Sequence, residues 1–257
     1  MSDFNKSAWA DNKFAQNYLD KADIYVMERR KMFWFVSSLV SHFRHGKQGI
    51  KLLELGCGDG ALTEELLKTG DVVSATLLDG GEGMVQKARE RLKGYRNTTF
   101  IQATFQDLLG DKVKLETYDF IVSSMAIHHL EMDEKASLFH LIASWLKPGG
   151  RFVDVDVVLP PSEELEEWYF AIWKDWLAHM MTRYNIQDEV PEDLIRRYKD
   201  PSSMNKPDTL GNQLRALASA GFMDVDCYFK NGVFVVFGGV KKLGVKLPAA
   251  PKQSNKS

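Results

Sequence analysis

Three alternate glycines, Gly56, Gly58 and Gly60, interrupt an otherwise regular pattern in LLELGCGDGALTEELL, residues 52–67. The apolar run before them has the composition of a strand, and the leucines from Leu62 onward recur at helical spacing. The glycines therefore lie on a strand-to-helix turn, where the lack of a Cβ permits a ligand to approach the backbone and the helix offers unpaired N–H groups. The segment predicts a nucleotide-like ligand at the carboxyl edge of a parallel sheet.

The rest of the chain alternates strand and helix patterns, as in a doubly wound α/β sheet. Two apolar runs, 222–229 and 233–240, are separated by Lys230, Asn231 and Gly232, which predicts a C-terminal hairpin with one antiparallel strand. The fold class is therefore a mostly parallel sheet of seven strands. The other predicted strands are 50–55, 72–78, 98–102, 118–123 and 151–158, and the predicted helices are 61–69, 82–93 and 134–146.

Two segments lie outside this frame and define the predicted domain organisation. Residues 1–48 are a helical N-terminal lead-in, residues 49–240 are the main domain with a helical insert at 160–208, and 241–257 is a basic tail that we expect to be disordered.

Composition narrows the class of protein. With 257 residues, 44% of them hydrophobic, and a net charge of −2, the chain can bury one large core and has no overall attraction to nucleic acid. We find neither an apolar stretch long enough for a membrane span nor a signal peptide, so we expect a cytoplasmic protein. Cys57 and Cys227 are far apart and fit reduced thiols, and we expect no metal site.

The motif ELGCGDG resembles the ExGxGxG loop of class I S-adenosylmethionine-dependent methyltransferases. Further segments resemble that family in the same order: Asp79 after the second strand, FIQATFQDL, YDFIVSSMAIHHL, LKPGGRF, and AGF before the hairpin. The resemblance spans roughly residues 50–240. It implies S-adenosyl-L-methionine as the cofactor and S-adenosyl-L-homocysteine as the product.

Physical roles follow for the residues of this loop. The backbone of Gly56 and Gly58 can lie against the ligand, Glu54 can attract an ammonium group, and Asp79 can accept both ribose hydroxyls. The predicted cofactor site comprises Tyr25, Glu54, Gly56, Gly58, Gly60, Asp79, Gly80, Thr104, Phe105 and Ser124.

The chain departs from the family pattern at two places. Thr104 stands where the family usually has an Asp that faces adenine, so it offers only a neutral hydrogen bond, unless Asp107 supplies the acid through a shifted register. Gly80 and Gly81 follow Asp79, where the family usually has a larger side chain. Contact with the cofactor on that edge is therefore expected to be thin.

Methyl transfer from a sulfonium is an in-line displacement that needs a positioned acceptor and, in some enzymes, a proton acceptor. His128 and His129 follow the fourth strand and are the candidates for proton transfer, with a structural role as the alternative. Asp154 and Asp156 share one face of the fifth strand, where they orient an acceptor, face solvent or form a salt bridge.

The insert is expected to be a lid that selects the acceptor. Its helix carries an aromatic stripe in which Tyr169 and Trp173 are the candidates for substrate binding, together with Tyr18 and Trp9 of the lead-in. Such a stripe also fits plain core packing. The resemblance places Tyr25 near the cofactor carboxylate, and Arg29 or Arg30 offers the same contact by charge.

These observations predict a methyltransferase that acts on a small-molecule acceptor, not a nucleic acid, and that has no membrane partner. The alternatives are a carboxy-S-adenosylmethionine synthase or a relative that modifies wobble uridine in tRNA, and a non-catalytic cofactor-binding scaffold. Arg196, Arg197 and Lys199 are the cations that the first alternative would use. The acceptor atom and the oligomeric state do not follow from the sequence.

Overall fold

The computed structural model describes residues 11–44, 46, 49–187, 189–200 and 204–243. Trp9 and the tail from residue 244 lie outside the described residues. Among the described helices, none is both long enough and apolar enough to cross a membrane.

One sheet of seven strands organises the chain and confirms the predicted fold class. Its spatial order is 3-2-1-4-5-7-6, and the seventh strand runs antiparallel to both of its neighbours. The strands are β1 (Ile50–Leu55), β2 (Val72–Asp79), β3 (Thr98–Gln102), β4 (Tyr118–Ser124), β5 (Leu146–Val157), β6 (Phe222–Asn231) and β7 (Phe234–Lys241).

Helices cover both faces of the sheet, as expected for strands that are apolar on both sides. Central β1 has Leu52, Leu53 and Leu55 fully buried, with Leu52 in one core and the other two in the core on the opposite face. The helices are α1 (Asn12–Tyr25), α2 (Arg29–Phe43), α3 (Ala61–Lys68), α4 (Glu82–Arg91), α5 (Phe105–Leu109), α6 (Met132–Trp145), α7 (Glu163–Arg183), α8 (Pro191–Lys199) and α9 (Leu210–Ser219).

The boundary between α6 and β5 differs from the prediction. The helix ends at Trp145 and the strand begins at Leu146, five residues earlier than the sequence pattern indicates. Pro148 and Gly149 do not separate the two elements as a loop, because they form the irregular first part of the strand, where Gly149 has φ 73°. A local sequence pattern cannot predict this early start of the strand, because the start depends on pairing with the neighbouring strand β4.

The lead-in helix α1 packs on the insert helix α7. Trp173 and Trp176 of α7 donate their indole N–H groups to the carbonyl oxygens of Tyr25 and Ile24, both at 2.9 Å. Lys21 and the hydroxyl of Tyr25 both contact Glu189, in the loop between α7 and α8. These contacts fasten the end of α1 to the insert, so the lead-in and the insert form one helical layer.

Candidate active site

A deep cleft opens at the carboxyl ends of strands β1 to β4, where α1 and α2 lie across it. It encloses about 1110 Å³, counting the space at its open mouth. Ten of the predicted site residues line the cleft: Tyr18, Glu54, Gly56, Gly58, Asp79, Gly80, Thr104, Phe105, Ser124 and His129.

The glycine loop owes its shape to left-handed backbone angles. Gly56, Gly58 and Gly60 have φ of 64°, 53° and 77°, a region that side chains with a Cβ rarely adopt. A Cβ on Gly56 would lie 2.3 Å from the Cβ of Ala126, whereas one on Gly58 would meet only Leu19, at 3.8 Å. Gly58 therefore leaves space for a ligand, and Gly56 permits close packing of two loops.

Gly60 does not line the cleft, contrary to its predicted role in cofactor binding. It is the N-cap of α3, and a Cβ there would contact Leu77, Leu92 and Ala88 at 3.3–3.4 Å. The residue is needed for the turn and for helix packing. The sequence position of Gly60, beside Gly56 and Gly58, does not distinguish a structural role from a role in cofactor binding.

Asp79 connects the glycine loop to the loop after β2. Its carboxylate oxygens accept hydrogen bonds from the backbone N–H groups of Gly58 and Gly81, each at 2.8 Å. Burial raises the pKa of Asp79, and these two hydrogen bonds oppose the rise. A carboxylate has lone pairs for about four hydrogen bonds, so it can also accept ribose hydroxyls.

Glu54 is almost fully buried at the end of β1. Its Oε2 accepts hydrogen bonds from the N–H of Thr63 at 3.2 Å and from the Thr63 hydroxyl at 2.5 Å. Burial raises the pKa of Glu54 to about 8, although the Thr63 contacts and Arg29 oppose the rise. A cationic group in the cleft would therefore find a carboxyl group that must first release a proton.

This linkage predicts a pH-dependent affinity. If the ligand's ammonium lies at Glu54, binding lowers the pKa of Glu54 and releases its proton. The affinity for S-adenosylhomocysteine should then rise up to about tenfold per pH unit between roughly pH 5.5 and 7.5, below the pKa of the ligand's own amine. Calorimetric titrations across this range test the slope. Glu54→Gln should flatten it, and an unchanged slope in that variant would contradict the assignment.

Unliganded stability should show the opposite dependence. Because the pKa of Glu54 is raised on folding, its contribution to stability is complete below about pH 4.5 and is lost as the pH rises through about 8.

Thr104 and Asp107 cap the short helix α5. The Thr104 hydroxyl bonds to Asp107 at 2.7 Å, and Lys112 also contacts that carboxylate, which together hold the pKa of Asp107 at about 2. Asp107 does not line the cleft, so the shifted register considered from the sequence is wrong. Thr104 and Phe105 remain at the wall, and Gln106 joins them there.

The two histidines of the turn after β4 occupy different positions relative to the cleft. His129 lines the cleft, while His128 lies behind it and does not. His128 donates its Nδ1–H to Asp156 at 2.5 Å, and its backbone N–H donates to the same carboxylate at 2.8 Å. The predicted catalytic role of His128 is therefore not supported by its position. The centre of the His128 ring lies 4.1 Å from the centre of the His129 ring, so the two rings pack against each other.

Asp154 and Asp156 share one face of β5, as their spacing predicts, but this face is fully buried and neither residue lines the cleft. Burial, together with the neighbouring Asp156, raises the pKa of Asp154 well above its usual range. The role in orienting an acceptor is wrong for both residues.

Arg29 is a cleft residue to which sequence reasoning gave little weight. Its guanidinium pairs with Asp23 at 2.8 Å and lies 4.4 Å from the centre of the Phe33 ring. The preceding Glu28 has φ 59°, an unfavourable angle that starts α2 at this point. Arg29 can therefore hold a ligand carboxylate, whereas Arg30 is exposed and lies outside the cleft.

Tyr25 is buried outside the cleft, with its hydroxyl 2.6–2.7 Å from the two carboxylate oxygens of Glu189. The predicted contact with the cofactor carboxylate is not supported. Its ring centre lies 5.8 Å from that of Tyr18, which does line the cleft. Burial raises the pKa of Tyr18 to about 12.

Tyr169 and Trp173, the predicted substrate contacts, do not line the cleft. Trp173 is buried among Phe170, Tyr198 and Phe234, and Tyr169 faces the β6–β7 hairpin with Lys230 Nζ 4.0 Å from its ring centre. The aromatic stripe of α7 is core, which is the second reading that the pattern allows.

Trp173→Ala should therefore lower the free energy of unfolding by about 3–5 kcal/mol, the usual cost of removing a buried large aromatic side chain. Trp168→Ala on the same helix is the matched control, because Trp168 is 57% exposed, and should change stability by less than about 1 kcal/mol. Chemical denaturation measures both. Normal stability of the Trp173 variant with loss of turnover would restore the substrate-binding role.

No group of three or more His, Cys, Asp or Glu side chains among the described residues could hold a metal ion. Cys57 and Cys227 are unbridged. Burial raises the pKa of Cys57 well above its usual range, so this thiol at the cleft wall stays protonated.

Comparison with known proteins identifies the domain that carries this cleft. Residues 52–150 match the family described as "Methyltransferase domain". The whole fold aligns with an O-methyltransferase family protein from Burkholderia thailandensis, with a TM-score of 0.63 and 13% identity, over 94% of this chain and 64% of that one. The chain thus contains an S-adenosylmethionine-dependent methyltransferase domain with the class I fold. The predicted resemblance and the cofactor are thereby confirmed.

Named relatives of this methyltransferase act in different reactions. It is 31% identical over 99 residues to malonyl-[acyl-carrier protein] O-methyltransferase of Halalkalibacterium halodurans. This match covers 38% of this chain and 36% of that protein. It is 21% identical over 189 residues to carboxy-S-adenosyl-L-methionine synthase of Shewanella halifaxensis, covering 73% and 74%. The chain thus matches only about a third of the length of the first relative.

Proposed function

We propose that this methyltransferase transfers a methyl group from S-adenosylmethionine to a small-molecule acceptor by in-line displacement. One observation carries the proposal: a single cleft brings together a buried carboxyl group, Glu54, an open glycine, Gly58, and a rim carboxylate, Asp79. These match an ammonium group, a close backbone approach and a ribose diol in that order along the sheet edge.

The residues present fit the cofactor in this structure. Glu54 and Arg29 would hold its amino-acid part, Asp79 its ribose, and the wall of Leu78, Ala103 and Phe105 its base. When bound, the cofactor supplies an electrophilic methyl group. The chain's own contribution is to orient the two reactants, since the displacement needs alignment more than acid–base catalysis.

His129 is the proton-handling candidate that remains. Its Nδ1 donates to the carbonyl of Met204 at 3.2 Å, which places the lone pair on Nε2 in the neutral tautomer. Burial and the neighbouring His128 lower the pKa of His129 well below its usual range. His129 therefore serves as a weak base or as a hydrogen-bond acceptor that orients the incoming nucleophile.

Carboxy-S-adenosylmethionine synthesis is the second candidate, because the match to such a synthase covers 73% of the chain. The cations that it would use do not line the cleft. Arg196 pairs with Asp193 at 2.6 Å on the surface, and Arg197 is exposed. The side chain of Lys199 lies outside the described part of the structure. Methyl transfer is therefore the better supported activity.

An assay with labelled methyl donor tests the proposal directly. The protein is incubated with S-adenosylmethionine carrying a labelled methyl group and a cell extract, and the products are separated by size. Label should enter the small-molecule fraction. Label in protein or tRNA would overturn the acceptor class, and no transfer despite cofactor binding would favour the non-catalytic scaffold.

A further inference from the structure

The charges of the cleft all lie on its cofactor side. Four arginine or acidic side chains line it among the described residues: Arg29, Glu54, Asp59 and Asp79. They belong to the start of α2, the end of β1, the glycine loop and the end of β2. Asp59 is already paired with Arg91 at its outer side. The other three match the carboxylate, ammonium and ribose of the cofactor.

The opposite side of the cleft, after β4, is uncharged. Its wall is formed by Met125, His129, Leu130 and Met204, with Tyr18 from α1 above them. No Lys, Arg, Asp or Glu contributes to this wall within the part of the chain that the structure describes. We refer to these five residues as the acceptor wall.

The two titratable members of the acceptor wall stay neutral near pH 7. The His129 pKa is held well below its usual range by burial, by His128 and by Lys135, although the Met204 carbonyl opposes this shift. Burial raises the Tyr18 pKa to about 12; the nearby charge of Arg29 opposes this rise and that of Asp156 adds to it. The nearest buried ammonium, Lys135, donates to the Lys206 carbonyl and does not line the cleft.

We propose that the acceptor is an uncharged molecule that presents its own lone pair to the methyl group, which excludes carboxylated and phosphorylated acceptors. This inference rests on the proposed function. An anionic acceptor would leave water for a wall that has no cation to pair with it, and an unpaired buried charge is strongly unfavourable. The methionine thioethers instead provide a soft apolar surface that accommodates an aromatic or aliphatic group.

The reaction balances without a charged partner from the protein. The acceptor lone pair forms the bond to the methyl carbon while the carbon–sulfur bond breaks and its electron pair stays on sulfur. The positive charge passes to the methylated acceptor, which then loses a proton to water at the mouth of the cleft.

Isosteric pairs of acceptors that differ only in charge test the inference. We suggest para-hydroxybenzamide against para-hydroxybenzoate, para-aminobenzamide against para-aminobenzoate, and para-(mercaptomethyl)benzamide against its carboxylate. Binding to the protein saturated with S-adenosylhomocysteine is measured by calorimetry, and methylation is measured with S-adenosylmethionine. At least one amide should bind, and each amide that binds should do so at least about tenfold more tightly than its carboxylate. Preference for a carboxylate, or indifference to charge, including no binding by either member, would overturn the inference.

A charge placed on the acceptor wall provides the second test. Met204→Arg should improve the carboxylates relative to the amides by about tenfold or more, because the new guanidinium can pair with them. Met204→Gln is the matched control of similar length and should leave the preference for amides unchanged. An identical response of the two variants would show that Met204 does not face the acceptor.

Cofactor binding separates this inference from the proposed function. If S-adenosylhomocysteine binds while carboxylates are preferred, only the uncharged acceptor is wrong. If S-adenosylhomocysteine does not bind, the proposed function fails and the inference fails with it.

Discussion

Gly58→Ala should abolish most of the affinity for S-adenosylmethionine while the protein remains folded. The new Cβ would meet no protein atom closer than Leu19 at 3.8 Å, so it would project into the cleft where the ligand must approach the backbone. We expect a loss of affinity of more than about tenfold, measured by calorimetry. The left-handed φ of 53° adds a folding cost of about 1–2 kcal/mol.

Gly70→Ala is the matched control for this backbone cost. Gly70 follows α3 with φ 76°, and a Cβ there would have no neighbour within 4 Å. This variant should lose a similar amount of stability and bind the cofactor normally. Gly56→Ala should lower the free energy of unfolding more than either variant, because its Cβ would also clash with Ala126. Equal cofactor affinity in the Gly58 and Gly70 variants would contradict the assignment of Gly58 to the ligand site.

Asp79→Ala should weaken cofactor binding by about 1–3 kcal/mol, the scale of lost charge-assisted hydrogen bonds. The loss has two sources, because Asp79 both faces the ligand site and holds the N–H groups of Gly58 and Gly81. Calorimetry with S-adenosylhomocysteine measures the change in affinity.

Asp79→Asn separates the two sources. The amide keeps one acceptor oxygen and its size but loses the charge, so its affinity should lie between those of the original protein and the Ala variant. Adenosine alone should show the same ranking, since it carries the ribose without the amino acid. Unchanged affinity in both variants would remove Asp79 from the ribose site.

The predicted site residues that the structure brings to the cleft are carried by short, local motifs. The glycine loop, Glu54 and Asp79 lie at the ends of adjacent parallel strands, and the alternation of elements alone brings such ends together. His129 follows from the same rule at β4. The C-terminal hairpin was predicted because its two strands are separated by a recognisable turn.

The remaining part depends on packing between distant segments. Met204 reaches the cleft because the last part of the insert returns to the histidine turn, where the N–H of Lys206 donates to the His128 carbonyl at 2.7 Å. Arg29 enters it because α1 and α2 lie over the sheet edge. The position of Met204 or Arg29 at the cleft cannot be inferred from local spacing.

The aromatic stripe of α7 shows the limit of periodicity more clearly. Helical spacing identifies which side chains share a face, but it does not say whether that face meets a core or a ligand. Trp173 meets Tyr198 and Phe234, and its indole N–H donates to the backbone of Tyr25. Of these partners, Phe234 and Tyr25 come from segments far away in the chain.

Calorimetric titration of the unmodified chain with S-adenosylhomocysteine, and separately with NAD, tests the central claim most directly. Both ligands contain an adenosine, but only the first has the ammonium and carboxylate that Glu54 and Arg29 are placed to hold. S-adenosylhomocysteine should bind at a single site, and NAD should bind at least about tenfold more weakly. Tighter binding of NAD than of S-adenosylhomocysteine would contradict the assignment of this cleft to the methyl donor.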